Sequence, residues 1–301
     1  MTTTTDRWRS WGLRRWAQVR RTSVGRLLED CALALARIEL FDRAMTLAAQ
    51  AFTSIVPIML VTATLHPRDG GSLGSALAES LDLPQSVRST LQASIPSDAT
   101  VESGIGVFGV VVAIVSATSF SRALERIYLR IWQVPRPSLR SWWRWFAALI
   151  AILLAVGLIG LTRRASRGEV WSGWLPLLVQ LVLWTAVWTF APWVLVQREV
   201  RWRPLLFSGV ATSVCLAGLT LAGSVYLPIV LVRGAREFGV LGLVFSYISW
   251  LFAIAFVVIG VAVIARACAQ DPGPLGRWVR GRGHASVFSD PETVAEPDRR
   301  R

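Results

Sequence analysis

No charge interrupts residues 44–65, AMTLAAQAFTSIVPIMLVTATL, and five further uncharged stretches follow at 103–121, 145–162, 170–197, 204–232 and 238–265. A helix crosses the hydrocarbon of a bilayer in about 17–25 residues. Each stretch is long enough, and the last three leave length for tilt or interfacial ends. No soluble fold requires six such runs. In hydrocarbon every backbone N–H and C=O must be paired within the protein, and a helix achieves this inside one segment. The expected class is all-α, a polytopic membrane protein with six transmembrane helices. Composition agrees: 53% of residues are hydrophobic and 17% charged, against about 25% charged in an average soluble domain. The first stretch lies too late in the chain and is too long for a cleaved signal peptide, so it reads as retained.

Arginine placement sets the expected orientation. All 32 basic residues are arginine, and the net charge is +13. Residues 1–43 hold nine arginines, 122–144 six, 198–203 three and 266–301 seven. The alternate connections hold two in 66–102, three in 163–169 and two in 233–237. Basic residues concentrate on the cytoplasmic side of a membrane protein. Both termini are therefore expected in the cytoplasm, with the chain crossing the membrane several times. The positive charge then faces anionic lipid, and no nucleic-acid partner is expected.

Outside the spans the sequence divides three ways. Residues 1–43 interleave Trp and Arg in RWRSWGLRRWAQVRR, and Val24, Leu28, Cys31, Leu35 and Ile38 repeat every three or four residues. That spacing predicts an amphipathic helix, suited to the membrane interface or to packing under the bundle. Residues 66–102 form the one sizeable extracytoplasmic connection, expected to hold one or two short helices broken near Pro84. Residues 266–301 are rich in Gly, Pro and charge without periodicity, the composition of a disordered cytoplasmic tail.

Catalytic and metal chemistry find little footing. The two histidines, His66 and His284, fall on opposite sides of the expected membrane. Cys31, Cys215 and Cys268 are far apart and lack metal-ligand spacing. Without lysine a phosphate-binding loop of the Walker type cannot form. GIGVFG at 104–109 opens a span instead of following a strand, so close helix packing explains it better than dinucleotide binding. No cofactor and no metal are expected, and no enzyme. The spans themselves carry no Asp, Glu, Arg or His, where proton-coupled carriers commonly hold an ionisable group.

Two sets of residues remain as candidates for binding. Gln50 and Ser54 are four apart and share a helix face, and Pro57 releases the carbonyl of Thr53 from its helical bond. Together they can line a polar route, or simply hydrogen-bond between helices. Arg122, Arg126 and Arg130 in SFSRALERIYLRIWQVPRP recur at i, i+4 and i+8, opposite an apolar face of Phe120, Leu124, Ile127, Tyr128 and Ile131. Glu125 is expected to pair only loosely with the row. A guanidinium row suits bidentate contact with an anionic lipid headgroup; solvation among phosphates is the plainer reading. Gly239 and Gly242 open the last span and permit close backbone approach, for packing or as an outer gate.

AMTLAAQAFTSIVPIML, SFSRALERIYLRIW, FAPWVLVQREVRWRPLLFSGV and YLPIVLVRGAREFGVLGLVFSYISWLFAIAFVVIG occur in an order and spacing that resemble the YihY/virulence factor BrkB family of bacterial inner-membrane proteins, over roughly residues 35–268. The resemblance implies a six-span envelope protein, with links to virulence and, in some relatives, to lipid transport. An older label of the family as ribonuclease BN finds no nuclease site here. Two departures stand out: Ala51-Phe52 replaces an aromatic pair, and Ala262 stands where relatives often carry a glutamate, which weakens an ion-coupled mechanism. The leading expectation is transport or flipping of an anionic lipid-like substrate. The competing one is a non-transporting membrane scaffold.

Overall fold

The computed structural model describes residues 23–65, 100–135, 143–165, 175–196 and 199–281. The described residues form seven helices and no sheet: α1 (Ser23–Arg37), α2 (Leu40–Leu65), α3 (Thr100–Trp132), α4 (Trp143–Ala165), α5 (Leu175–Leu195), α6 (Trp202–Gln270) and α7 (Pro274–Arg280). Three of them, α4, α5 and α6, are long and apolar enough to cross a membrane by length and composition.

α6 is two arms. Its 69 residues would run about 100 Å if straight. At Gly239 the backbone leaves helical geometry (φ 59°, ψ −135°) and the chain reverses. The arms then close on small residues. A Cβ on Gly242 would lie 2.0 Å from the Gly234 carbonyl oxygen, and one on Gly223 would lie 2.2 Å from the Trp250 ring. Glycine lets the two backbones touch at the first place and the Trp250 ring lie against the backbone at the second, as small residues do between membrane helices. The arms correspond to the expected spans 204–232 and 238–265. However, the connection between them is helical up to the reversal, with no separate loop at 233–237.

The arms of α6 are the hub. α2, α5, α1 and α7 all pack on them, α2 pairs with α3, and α4 pairs with α5. α4 shows a surface that protein does not cover. Ala148, Ala155 and Ile159 form one buried seam, while Leu153, Leu154, Val156 and Leu158 are exposed. A helix apolar all round and covered on one seam is one that lipid solvates.

The ends of the helices are closed by side chains and tight turns. After α1, Glu39 adopts φ 54°, and Arg43 Nε donates to the Ile38 carbonyl at 2.8 Å. α3 ends with Gln133 at φ 54° and the Val134 amide donating to the Leu129 carbonyl at 3.0 Å. This is the six-to-one bond of a Schellman end. Arg266 of α6 donates to the Ile131 carbonyl, which satisfies another terminal acceptor of α3.

Three expectations change. α1 is a helix as its periodicity predicts, and Cys31 and Ile38 are buried, but Leu28 is 61% exposed; α1 packs along α6 and uses a narrower face than five residues. The span 103–121 and the stripe after it are one continuous 33-residue helix. Arg122 marks where apolar composition ends, not where the helix does. Residues 266–281 depart from a structureless tail: α6 continues to Gln270, and α7 docks beside it with Val279 buried. Proline in the first turn of α7 favours helix initiation. The buried Arg280 holds α7 in place by donating to the Ala269 and Asp271 carbonyls. Residues 66–99 of the expected connection 66–102, the Trp/Arg stretch at 1–22 and the tail from 282 lie outside the described residues, while residues 100–102 already belong to α3.

Candidate functional site

The last four turns of α3 separate two faces cleanly. Leu124, Tyr128, Ile131 and Trp132 are buried, with Ile127 beside them and Phe120 half-buried. Arg122, Arg126 and Arg130 are exposed on the other side. Spacing by four places the three guanidinium groups in one row along the helix. They make no salt bridge among the described residues, and the row presents positive charge at the protein surface.

The row sits above a latch between α3 and α4. Arg122 lies over the Trp145 ring, 4.3 Å from its centroid, a cation–π contact. The same indole donates from Nε1 to Glu125 Oε2 at 2.7 Å. Ser121 Oγ donates to the Trp145 carbonyl at 3.1 Å. Glu125 is thus turned inward and buried, with Trp145 as its hydrogen-bond partner where only a loose pairing with the row was expected. Its second oxygen, Oε1, is buried without a hydrogen-bond partner, as is Nη1 of Arg144. Burial holds the Glu125 carboxyl above its ordinary range. The Trp145 hydrogen bond and the charges of Arg144, Arg122 and Arg126 pull the other way.

The second candidate set is only partly assembled. Ser54 is buried. Its hydroxyl lies 2.7 Å from the Gln50 carbonyl and 2.8 Å from the Ser116 carbonyl, sharing one proton between them. It therefore bridges α2 to α3. Gln50 is half-buried, and its Oε1 has no hydrogen-bond partner. Pro57 lies within α2; its side-chain surroundings fall outside the described residues. Gly239 supplies the reversal of α6 and Gly242 the backbone contact with Gly234. The structure brings Gln50 and Ser54 together on α2, and the three arginines together on α3.

Sequence reading passed over Arg266 and Arg280 and did not foresee the bond between Glu125 and Trp145. Glu125 carried a usable signal, since it sits in the apolar stripe between Leu124 and Tyr128. Trp145 opens α4 and looks like an interfacial aromatic; no pattern marks it as the partner of a carboxylate 20 residues earlier.

Chemically, the row can bind an anion at the protein surface. Among the described residues no group of three His, Cys, Asp or Glu is placed to hold a metal ion. The thiols of Cys31 and Cys268 meet between α1 and α6, and burial pushes the Cys31 thiol up to about 11, so it is protonated at neutral pH.

No curated protein and no solved structure matches the chain. A family model described as Virulence factor BrkB matches residues 33–275. That span runs from α1 into α7 and takes in every long apolar helix described above. The chain is a membrane protein that belongs to the virulence factor BrkB family.

Proposed function

We propose that this protein spans the bacterial inner membrane six times, with both termini in the cytoplasm, and moves an anionic lipid-like substrate between leaflets without catalysing a reaction. α2, α3, α4, α5 and the two arms of α6 supply the six crossings. The distribution of arginine supports the orientation. Membrane lipids are its partners, and nucleic acid is not.

One observation carries the lipid reading: Arg122, Arg126 and Arg130 form an exposed row on a helix whose opposite face is buried. The fixed backbone holds three guanidinium groups ready for phosphate oxygens, and Trp145 keeps the first of them in place. Gln50, with its buried unpaired oxygen, is the polar group offered to a headgroup between α2 and its neighbours.

The test is reconstitution into vesicles carrying labelled anionic lipid. The protein should move label between leaflets, and Arg122→Ala with Arg126→Ala should slow the movement about 25-fold, at roughly 1 kcal/mol for each arginine near a membrane surface. Folded protein that moves no label above protein-free vesicles would leave a non-transporting scaffold. A reporter at the carboxyl end that reads as periplasmic would overturn the orientation.

A further inference from the structure

A second basic surface has none of the row's three arginines in its lining. The start of α6 and the short α7 enclose a groove of about 1000 Å³. Its lining includes Trp202, Arg203, Phe207, Val210, Arg277 and Trp278. The residues are of two kinds. Two guanidinium groups bring positive charge, and aromatic and aliphatic side chains supply the rest.

The walls are fixed. Phe207 and Trp278 meet edge to face with ring centroids 6.3 Å apart, joining α6 to α7. Arg280 on α7 is buried and bound to the carbonyls of Ala269 and Asp271. Arg203 stands 5.9 Å from the Trp202 ring centroid. It also lies over Gly281, where an added Cβ would come within 2.2 Å of its Nη1. Gly281 has φ 93°, so glycine serves both the backbone conformation and the room for the guanidinium.

The open side is apolar and aromatic. Trp202 and Trp278 are 58% and 73% exposed, and Leu206, Val210 and Leu275 are exposed nearby. Tryptophan beside arginine is the pairing found at the level of lipid headgroups. Aliphatic residues continuing along α6 from Leu206 to Val210 extend the surface by one turn toward the apolar span.

We propose that this groove binds an anionic phospholipid. Arg203 and Arg277 take the phosphate, Trp202 and Trp278 flank the glycerol level, and an acyl chain lies along Leu206, Phe207 and Val210. Positive charge at one end and an apolar strip leading from it complement an anionic amphiphile. They do not fit a free anion, which has no use for the strip. The inference rests on the membrane placement proposed above but not on transport. A lipid held here stabilises the junction of α6 and α7.

Native mass spectrometry of the full chain tests it, with phosphatidylglycerol and phosphatidylcholine as the probes. At about fivefold in affinity for each arginine, Arg203→Ala with Arg277→Ala should weaken phosphatidylglycerol retention about 25-fold and leave phosphatidylcholine unchanged. Arg203→Lys with Arg277→Lys keeps the charges and should retain most of the binding, which separates lost lipid contact from lost folding. The triple variant Arg122→Ala, Arg126→Ala, Arg130→Ala should keep the groove lipid even where transport fails. Unchanged retention in the double alanine variant would overturn the proposal. So would equal loss of phosphatidylcholine, or displacement of the lipid by inorganic phosphate.

Discussion

The arginine-rich end of the bundle and the hairpin end of α6 are built on different principles. At the arginine-rich end one cluster of buried residues joins α2, α3, α5, both arms of α6 and α7, with Trp132, Tyr128, Leu195, Leu205 and Ile259 fully enclosed. Polar groups cross between elements there: Arg266 to α3, Trp145 to Glu125, Ser121 to α4. At the hairpin end the described core is Leu231 and Leu243 with a few neighbours. The serine hydroxyls there bond within their own helices, Ser224 to the Leu221 carbonyl and Ser246 to the Gly242 carbonyl. Val225, Tyr226, Phe238, Leu241 and Phe245 lie exposed around them.

The difference follows from the solvent. Near a membrane surface, water and headgroups compete for every polar group, so burying apolar surface drives packing as it does in soluble proteins. Within hydrocarbon, lipid tails solvate leucine as well as protein does, and helices associate through close contact of small residues. Gly223 against the Trp250 ring, inside the two spans, is that kind of contact. The first end specifies the fold by a core, and the second by backbone proximity.

The sharpest way to break this comparison is to remove one large side chain from each end. Trp132 is fully buried in the large cluster, so Trp132→Ala should cost about 3–5 kcal/mol, the range for emptying an aromatic site that cannot collapse. Leu243→Ala removes a buried side chain at an end that lipid can refill, and should cost clearly less. Denaturant unfolding of the two variants in the same detergent measures both. Equal losses would mean that the hairpin end is held by a core of its own.

Glu125 gives the next effect in size and tests whether the packed end depends on its internal polar bonds. Glu125→Ala leaves the Trp145 N–H without its acceptor, at about 1–3 kcal/mol. Glu125→Gln keeps an acceptor and should lose far less. The pH dependence has a definite sign. The folded carboxyl titrates above its unfolded value, so its contribution to stability is complete below the ordinary glutamate range and is lost as pH rises through the raised folded value. The glutamine variant should lack that slope. A wild-type slope of opposite sign in thermal melts would show that the surrounding arginines, not burial, control this carboxyl.

The sequence was most legible where a single solvent decides. Lipid tolerates few charges, so uncharged runs located the cores of α2 to α6 to within a few residues. The buried stripe of Leu124, Ile127, Tyr128 and Ile131 was readable because water sorts one helix face from the other. The rest obeys rules that composition does not record. Where a chain leaves the hydrocarbon is written in its charges, but where its helix ends is not, which is why α3 runs on past Arg122. α7 is seven residues between glycines, too short for periodicity to announce it, and it exists through Arg280 and Val279 packing on α6. Glu125 reads as a loose partner of the arginine row because those are the charges nearest to it in sequence. Its inward turn depends on Trp145, which only the fold places beside it.

Ser54→Ala should have the smallest effect, and it separates two readings of α2. The hydroxyl is shared between the Gln50 and Ser116 carbonyls, and both acceptors belong to helices that remain formed without it. Interhelical hydrogen bonds of this kind average about 0.6 kcal/mol between membrane helices, so the variant should melt close to the parent protein. If Ser54 serves packing alone, labelled lipid should cross vesicles at the parent rate. Gln50→Ala should then slow it on its own, because the Gln50 side chain still offers an unbonded oxygen while the serine hydroxyl is already committed. Slowing by Ser54→Ala with an unchanged melting temperature would instead put the α2–α3 contact on the route, and would make that bridge something a substrate has to open.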